Sequence, residues 1–433
     1  MQRGVEWLDS LQSRGIKPGL DNIKRLLDGL GRPHDHYRTI HVAGSDGKGS
    51  VCCIMESILR ESGLKVGMFN SPHILKINEC IRINGKDIDD NLLNNALGKV
   101  MGVSEEGDIS CTSFEALTAC AFLAFSEAKV DIAVIETGMG GRLDSTNVIE
   151  PEVTVINNIS LEHTAFLGDT IEKIATEKAG IMRPGVPCVT IENEGSKVIE
   201  RYAEELGCPI TVIRPEDIRI INSSPYGLEF SYKGEDYIVS MPGRYQGRNA
   251  AVAIEAIRKL KDADNVEAHI REGLRKARWP YRMEKLDSCP IVLDVTHTER
   301  GSECLKQDIQ EIYGKVILVT AMLDDKDLEG VATNLSPIAS KVYVSAPNSP
   351  RAASAERLAE CYRRHHDDVT VCNTVGEAMK QALKNDGTIL VTGSFRTAED
   401  CLRWLGKMRW SRFSTYCPRT TTEGPTPEGI PKD

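Results

Sequence analysis

The feature that most constrains this chain is a recurring pattern of short aliphatic runs separated by helical stretches. In runs such as Ile132-Ala-Val-Ile135 no polar residue alternates with the apolar ones. A strand with one wet face alternates polar and apolar residues. A strand covered on both faces does not, and parallel strands in α/β sheets are covered on both faces by their crossover helices. The runs Thr39–Ala43, Lys65–Phe69, Val130–Glu136 and Val153–Ile159 therefore predict βαβ units and a mostly parallel sheet. A second α/β series follows Trp279-Pro280-Tyr281-Arg282, with strands expected at Ile291–Val295, Lys315–Thr320, Lys341–Ser345, Val369–Cys372 and Thr388–Thr392. The proline and charge cluster near residue 284 interrupts the pattern. It divides the expected organisation into 1–283, 284–410 and a proline- and threonine-rich tail, 411–433, expected to be disordered.

With 433 residues, each part has enough chain for its own core. The net charge is −10, from 53 Lys plus Arg against 63 Asp plus Glu, which argues against nonspecific nucleic-acid binding. No apolar run approaches the ~18–20 residues that span a bilayer, and the first twenty residues lack the apolar core of a secretory signal. The 13 cysteines are scattered, with no Cys-x-x-Cys pair, and read as reduced thiols of a cytoplasmic protein.

Chemistry concentrates in Gly44-Ser45-Asp46-Gly47-Lys48-Gly49-Ser50, between the first strand and a helix expected at about Ser50–Ser62. The free N–H groups at a helix start point outward there, and the glycines let the backbone approach an anion. Lys48 supplies a point charge for phosphates and Ser50 a hydroxyl near a metal. Strict P-loop spacing asks for glycine at 42 and Ser or Thr at 49, where this chain has Val42 and Gly49. The competing reading is a flexible turn with an exposed lysine.

Ligands of open α/β sheets gather beyond the carboxyl ends of the strands. Ser71, Glu136 and His163 all fall at such ends. A hydroxyl, a carboxylate and an imidazole could together hold Mg²⁺ on a nucleotide phosphate. Separately, Glu136 could pair with Arg142, and His163 could be a loop hydrogen-bonder. Thr112-Ser-Phe-Glu115 reads as a capping box. Asp169-Thr-Ile-Glu172 reads as a second helix start, in a helix ending near Lys178-Ala-Gly180. There a last-turn lysine and a following glycine are ordinary helix-ending chemistry.

Together these segments resemble the folylpolyglutamate synthase/dihydrofolate synthase family of the Mur ligase superfamily, over roughly residues 1–405. The resemblance rests on Ala43–Ser50, Ser71-Pro-His73, the Glu136–Asn147 glycine segment, and Glu162–Thr170 continuing to Glu177-Lys-Ala-Gly-Ile181. Weaker echoes are Met241-Pro-Gly-Arg-Tyr-Gln246-Gly-Arg-Asn249, Tyr281-Arg282, Asp294-Val-Thr-His297 and Asp325-Lys-Asp327. It implies an α/β fold, with a P-loop-type ATPase domain followed by a smaller Rossmann-like glutamate-ligase domain. It also implies ATP and Mg²⁺ as cofactors, and L-glutamate and a pterin or folate carboxylate as substrates of a chain expected to be a monomer.

Residue by residue, the resemblance implies that Gly44 to Ser50 hold the ATP phosphates and that Ser71, Glu136 and His163 ligate Mg²⁺. Lys178 would be carbamylated beside a second Mg²⁺, which reverses the helix-end reading. Gln246, Asn249, Arg282, Asp294 and His297 would surround ATP where the two domains join, and Lys48, Lys178 and His297 would be catalytic. The chain departs from the family at Ser45-Asp46 (usually Thr-Asn), Glu162 (usually Asp) and Thr298-Glu299 (usually Asn-Pro). Asp46 adds a negative charge that repels phosphates unless it is paired. The alternatives are a Mur-type amide ligase acting on another cofactor acid, and a nucleotide-binding module without ligase activity.

Overall fold

The computed structural model describes residues 3–286 and 289–407; the expected tail lies outside the described residues. Contacts divide the chain into two units, Met1–Trp279 and Pro280–Asp433, a few residues before the boundary expected at 283/284.

The strands of the first unit are β1 (Arg38–Ala43), β2 (Val66–Phe69), β3 (Ile81–Ile83), β4 (Lys86–Asp87), β5 (Ile132–Glu136), β6 (Val153–Ile156), β7 (Cys188–Ile191) and β8 (Ile210–Ile213). They form one sheet in the order β4-β3-β2-β5-β1-β6-β7-β8. It is parallel except where β3 and β4 add as antiparallel edge strands. The α/β expectation holds, and the physical reason for the unalternating runs is visible in β5. Ile132 and Val134 enter the core under the helices Lys48–Glu61 and Tyr245–Ile257, while Ala133 and Ile135 enter the core under Ser113–Ala128.

Strands β9 (Ile218–Ser224), β10 (Gly227–Tyr232) and β11 (Glu235–Val239) form a separate antiparallel sheet that the sequence reading did not anticipate. Its Leu228, Phe230 and Tyr232 alternate inward with period two. The second unit contains β12 (Glu284–Lys285), β13 (Ile291–Leu293), β14 (Val316–Thr320), β15 (Ala339–Val344), β16 (Val369–Val371) and β17 (Ile389–Thr392). Their order is β12-β13-β17-β14-β15-β16, and all but β12 are parallel.

Two local expectations change. The phosphate-loop helix begins at Lys48 rather than near Ser50, with Gly47 as its left-handed N-cap at φ 80°. The helix Ile171–Ala179 is capped by Thr170, whose side chain accepts from Lys173 N, and not by Asp169, which pairs with Lys173 instead. Thr112 and Glu115 do form the expected capping box. No helix among the described residues is long and apolar enough to cross a membrane.

Candidate active site

The sheet order sets β2, β5, β1 and β6 side by side, so the segments leaving their carboxyl ends share one rim. Gly44–Ser50 leaves β1 at its centre. Ser45 is fastened to the segment after β6: its N–H donates to Asn158 O at 2.8 Å, and its hydroxyl accepts from Ser160 N at 3.0 Å. Asp46 is turned toward Asn158. Its N–H donates to Asn158 Oδ1 at 2.7 Å, and Asn158 Nδ2 donates to its carboxylate at 3.4 Å. The extra charge is therefore held by a neutral amide on the exposed side of the loop.

Both departures from strict P-loop spacing have packing reasons. Val42 is fully buried in β1, in register with Glu136 of β5. At Gly49 an added Cβ would lie 2.9 Å from the Trp279 indole, so Ser or Thr does not fit. Ser57 donates to Gly273 O at 2.8 Å and Cys53 to Arg278 O at 3.1 Å, so residues 273–279 run along the same stripe of this helix. Sequence reasoning missed Trp279 because no local signal links it to residue 49.

Two lysines converge on one oxygen. Lys48 Nζ donates to Gly44 O at 2.9 Å and to Ser45 O at 3.2 Å. Lys178 Nζ donates to the same Gly44 O at 2.8 Å and to Glu162 Oε1 at 2.5 Å. Lys178 is 1 % exposed, so the last-turn lysine that reads as a helix end points into the protein instead. Gly180 is not left-handed either (φ −62°). Its missing Cβ makes room for Arg142.

Burial pulls the Lys178 ammonium down to about 8, against the attraction of Glu162 and helped by the repulsion of Lys48. Burial favours a neutral Glu162, but Lys48 and Lys178 together bring it down to about 2. For Lys48, burial is outweighed by Glu162, Glu136 and Asp46, and its pKa rises. The result is a fully ionised carboxylate between two cations at the mouth of a helix start.

Of the three strand-end candidates, Glu136 closes β5, is 4 % exposed, and lies close enough to Lys48 to raise its pKa. Arg142 pairs with Glu177 at 2.8 Å. Ser71 follows β2, the neighbour of β5. His163 is exposed, left-handed (φ 47°), and adjacent to Glu162. Among the described residues no three His, Cys, Asp or Glu side chains gather into a cage; a Ser–Glu–His set does not require one. Two buried polar atoms, Asn70 Oδ1 and Thr137 Oγ1, lack hydrogen-bond partners among the described residues. They flank Ser71 and Glu136 in the chain, so the donor chemistry of this rim fits a hard, oxygen-preferring cation.

Gln246 and Asn249 lie in the first unit on the helix Tyr245–Ile257, both buried. Asn249 Nδ2 donates to Gln246 Oε1 at 2.9 Å, and Gln246 Nε2 approaches Ser50 Oγ at 3.5 Å. Asn157, which the sequence reading passed over, joins them to the loop. Its Nδ2 donates to Asn249 Oδ1 at 3.1 Å and to Asp46 O at 2.8 Å. A Cβ on Gly47 would strike both amides, at 2.4 and 2.6 Å. Two asparagines directly after an apolar strand were the available signal.

Arg282, Asp294 and His297 belong to the second unit. Asp294 is 1 % exposed and accepts from Met283 N at 3.0 Å and Thr296 N at 2.7 Å. Both oxygens thus hold the turn around Arg282, where Tyr281 and Met283 are left-handed. The Arg282 guanidinium lies 5.7 Å from the Phe395 ring centre, and the His297 ring 6.1 Å from it. His297 Nδ1 lies 2.9 Å from Val295 O, an N–H donor contact that makes Nε2 the proton-accepting nitrogen of the neutral ring. Thr298 caps the next helix, accepting from Gly301 N at 3.1 Å. Asp327 likewise caps Leu328–Leu335, and Asp325 pairs with Arg351 at 2.8 Å.

This glycine-rich loop at a sheet rim, followed by a second α/β unit, belongs to a Mur-type ligase, as two family models show. Residues 42–257 match the Mur ligase middle domain and residues 281–395 the Mur ligase glutamate ligase domain. The chain is 39% identical over 379 residues to the dihydrofolate synthase/folylpolyglutamate synthase of Bacillus subtilis, covering 82% of this chain and 87% of that one. Escherichia coli FolC solved with DHPP and ADP superposes with TM-score 0.81 at 29% identity, over 94% of this chain and 98% of that one. A bifunctional folylpolyglutamate synthase/dihydrofolate synthase solved with Mn, AMPPNP and L-glutamate gives TM-score 0.79 at 30% identity, over 93% and 98%. The chain belongs to the folylpolyglutamate synthase/dihydrofolate synthase family.

Proposed function

We propose that this protein uses ATP to join L-glutamate to a pterin or folate carboxylate, acting in the cytoplasm as a monomer. The observation that carries this reading is Lys48 folded onto Gly44 O at the start of the phosphate-loop helix, with the Lys178 amine beside it. A cation, Lys48, and the N–H groups of a helix start at one point match a triphosphate. A carboxylate is inert to amines at neutral pH. Attack of its oxygen on the γ-phosphorus, with ADP leaving, makes an acyl phosphate. The neutral glutamate amine then attacks the acyl carbon, its nitrogen loses a proton to solvent, and phosphate departs with the C–O bonding pair.

In this scheme the loop Gly44–Ser50 binds and orients the phosphates. Lys48 exchanges its carbonyl contacts for phosphate oxygens and stabilises the charge gathering on the transferred group. Ser71, Glu136 and His163 would hold Mg²⁺, which supplies further neutralisation of that charge. Lys178, held near 8, has the neutral amine fraction that attack on CO₂ requires. Its nitrogen would bond to the carbon and release a proton, leaving a carbamate that would serve a second Mg²⁺. Gln246 and Asn249 brace the loop, and the family resemblance makes Arg282, Asp294 and His297 further contacts of the nucleotide. The family resemblance and the relatives' named ligands support this assignment.

The test is a screen of purified protein with ATP, glutamate and a panel of acids, read by product mass and phosphate release. Product and phosphate that need both glutamate and a pterin or folate acid support the reading. Turnover only with an unrelated acid, or nucleotide binding without phosphate release, overturns it.

A further inference from the structure

On the other face of β1 from the phosphate-loop helix, three buried side chains form a line. His41 Nε2 lies 2.8 Å from Thr146 Oγ1, and Thr146 Oγ1 lies 2.5 Å from Asp144 Oδ1. His41 and Thr146 are fully buried, and Asp144 nearly so. The same carboxylate accepts from Thr146 N at 3.0 Å and from Met139 N at 2.9 Å, closing the glycine segment on itself.

The proton positions follow from donor counting. Burial raises the Asp144 pKa, and the N–H groups of Met139 and Thr146 oppose that rise by favouring the carboxylate. An ionised carboxylate only accepts, so with Asp144 ionised the Thr146 hydroxyl hydrogen points to Asp144 at 2.5 Å. That hydroxyl has one hydrogen and has now used it, so it can only accept from His41, whose Nε2 must carry the proton. The other tautomer would set two lone pairs against each other. It would also bury an N–H at Nδ1, for which the described residues offer no acceptor. A buried donor left unpaired is rarer in proteins than a buried acceptor left unpaired. Burial and the Arg183 charge together disfavour the imidazolium, in keeping with a neutral ring.

The segment so fixed is also what seats Lys178. Arg142 N donates to Glu177 O at 2.8 Å, and Asn147 Nδ2 donates to Gly180 O at 3.0 Å. A Cβ on Gly141 would lie only 2.8 Å from Glu177 O and 3.0 Å from Lys178 O. We propose that His41, locked as its Nε2–H tautomer, is a positioning residue for the ligase reaction, holding Gly138–Asn147 and through it Lys178 in place via Thr146 and Asp144. The effect on rate rests on the function proposed above; the proton assignment does not.

The test uses the full chain with ¹⁵N-labelled histidine, the His41 signal being assigned by its loss in His41→Gln. The proposal expects the neutral Nε2–H pattern near pH 7; an Nδ1–H or imidazolium pattern overturns it. In kinetics, His41→Leu should lose about tenfold to a hundredfold in kcat with little change in KM for ATP. His41→Gln, which keeps an N–H donor, should recover most of that loss. A leucine variant with wild-type kcat overturns the positioning role. If the leucine variant does not fold, a folded glutamine variant with kcat still depressed by the same margin overturns it as well. Absence of any ligase turnover in the unaltered chain removes the functional reading and the positioning role with it, while the nitrogen signal still decides the tautomer.

Discussion

Lys48 and Lys178 donate to the same carbonyl oxygen, that of Gly44, at 2.9 and 2.8 Å. Two ammonium groups this close repel each other. Glu162, 2.5 Å from Lys178 Nζ, offsets that repulsion and fixes the charge of the loop.

Replacing Lys178 with Ala should abolish turnover while leaving ATP binding nearly intact, since Lys48 and the loop N–H groups remain. The fold should lose about 1–3 kcal/mol, because Glu162 keeps a partly buried charge with one partner fewer. Steady-state turnover, nucleotide titration and urea melts together check this, and wild-type turnover would reject it.

The Glu162 carboxyl, brought from its ordinary 4.5 to about 2, contributes stability that is present above pH 4.5 and lost as pH falls toward 2. The folded chain binds fewer protons than the unfolded chain in that window, so folding releases protons and stability rises with pH there. Glu162→Gln should flatten this part of the curve. The gap in Tm between wild type and variant should be widest near pH 6 and narrow by pH 3; a gap independent of pH would contradict the assignment.

Glu136→Gln should raise the Mg²⁺ concentration needed for half-maximal rate and lower the rate at saturation, because a neutral amide is a poorer ligand for a hard cation. A metal titration that superposes on wild type would remove Glu136 from the metal-binding set.

Gly49→Ala should destabilise the protein by about 1–3 kcal/mol, since its Cβ would meet the Trp279 indole at 2.9 Å. Trp279→Leu in the same chain should relieve part of that cost. Denaturation of both single variants and the double variant gives the coupling energy, and strict additivity would show that the two residues do not press on each other.

The local rules read from sequence succeeded where they depend on near neighbours. The core strands appear within a few residues of their expected ends, and Thr112 with Glu115 forms its capping box. The antiparallel sheet β9–β11 was passed over although its signals are local: alternating Leu228, Phe230 and Tyr232, and a left-handed Lys233-Gly234 turn. Lys178 shows a deeper limit. Helix-end chemistry accounts for a lysine in a last turn, but this one is turned inward because Gly44 O and Glu162 await it from other segments.

From its sequence alone this chain is committed to parallel α/β units with an anion-binding turn after the first strand, because strand burial, helix starts and glycine turns are set by residues a few positions apart. Tertiary structure alone decided which distant groups meet at that turn. The sheet places β5, β1 and β6 side by side out of chain order, and only that arrangement brings Glu136, Asn157 and Lys178 to the phosphate loop and aligns His41 with Thr146 and Asp144.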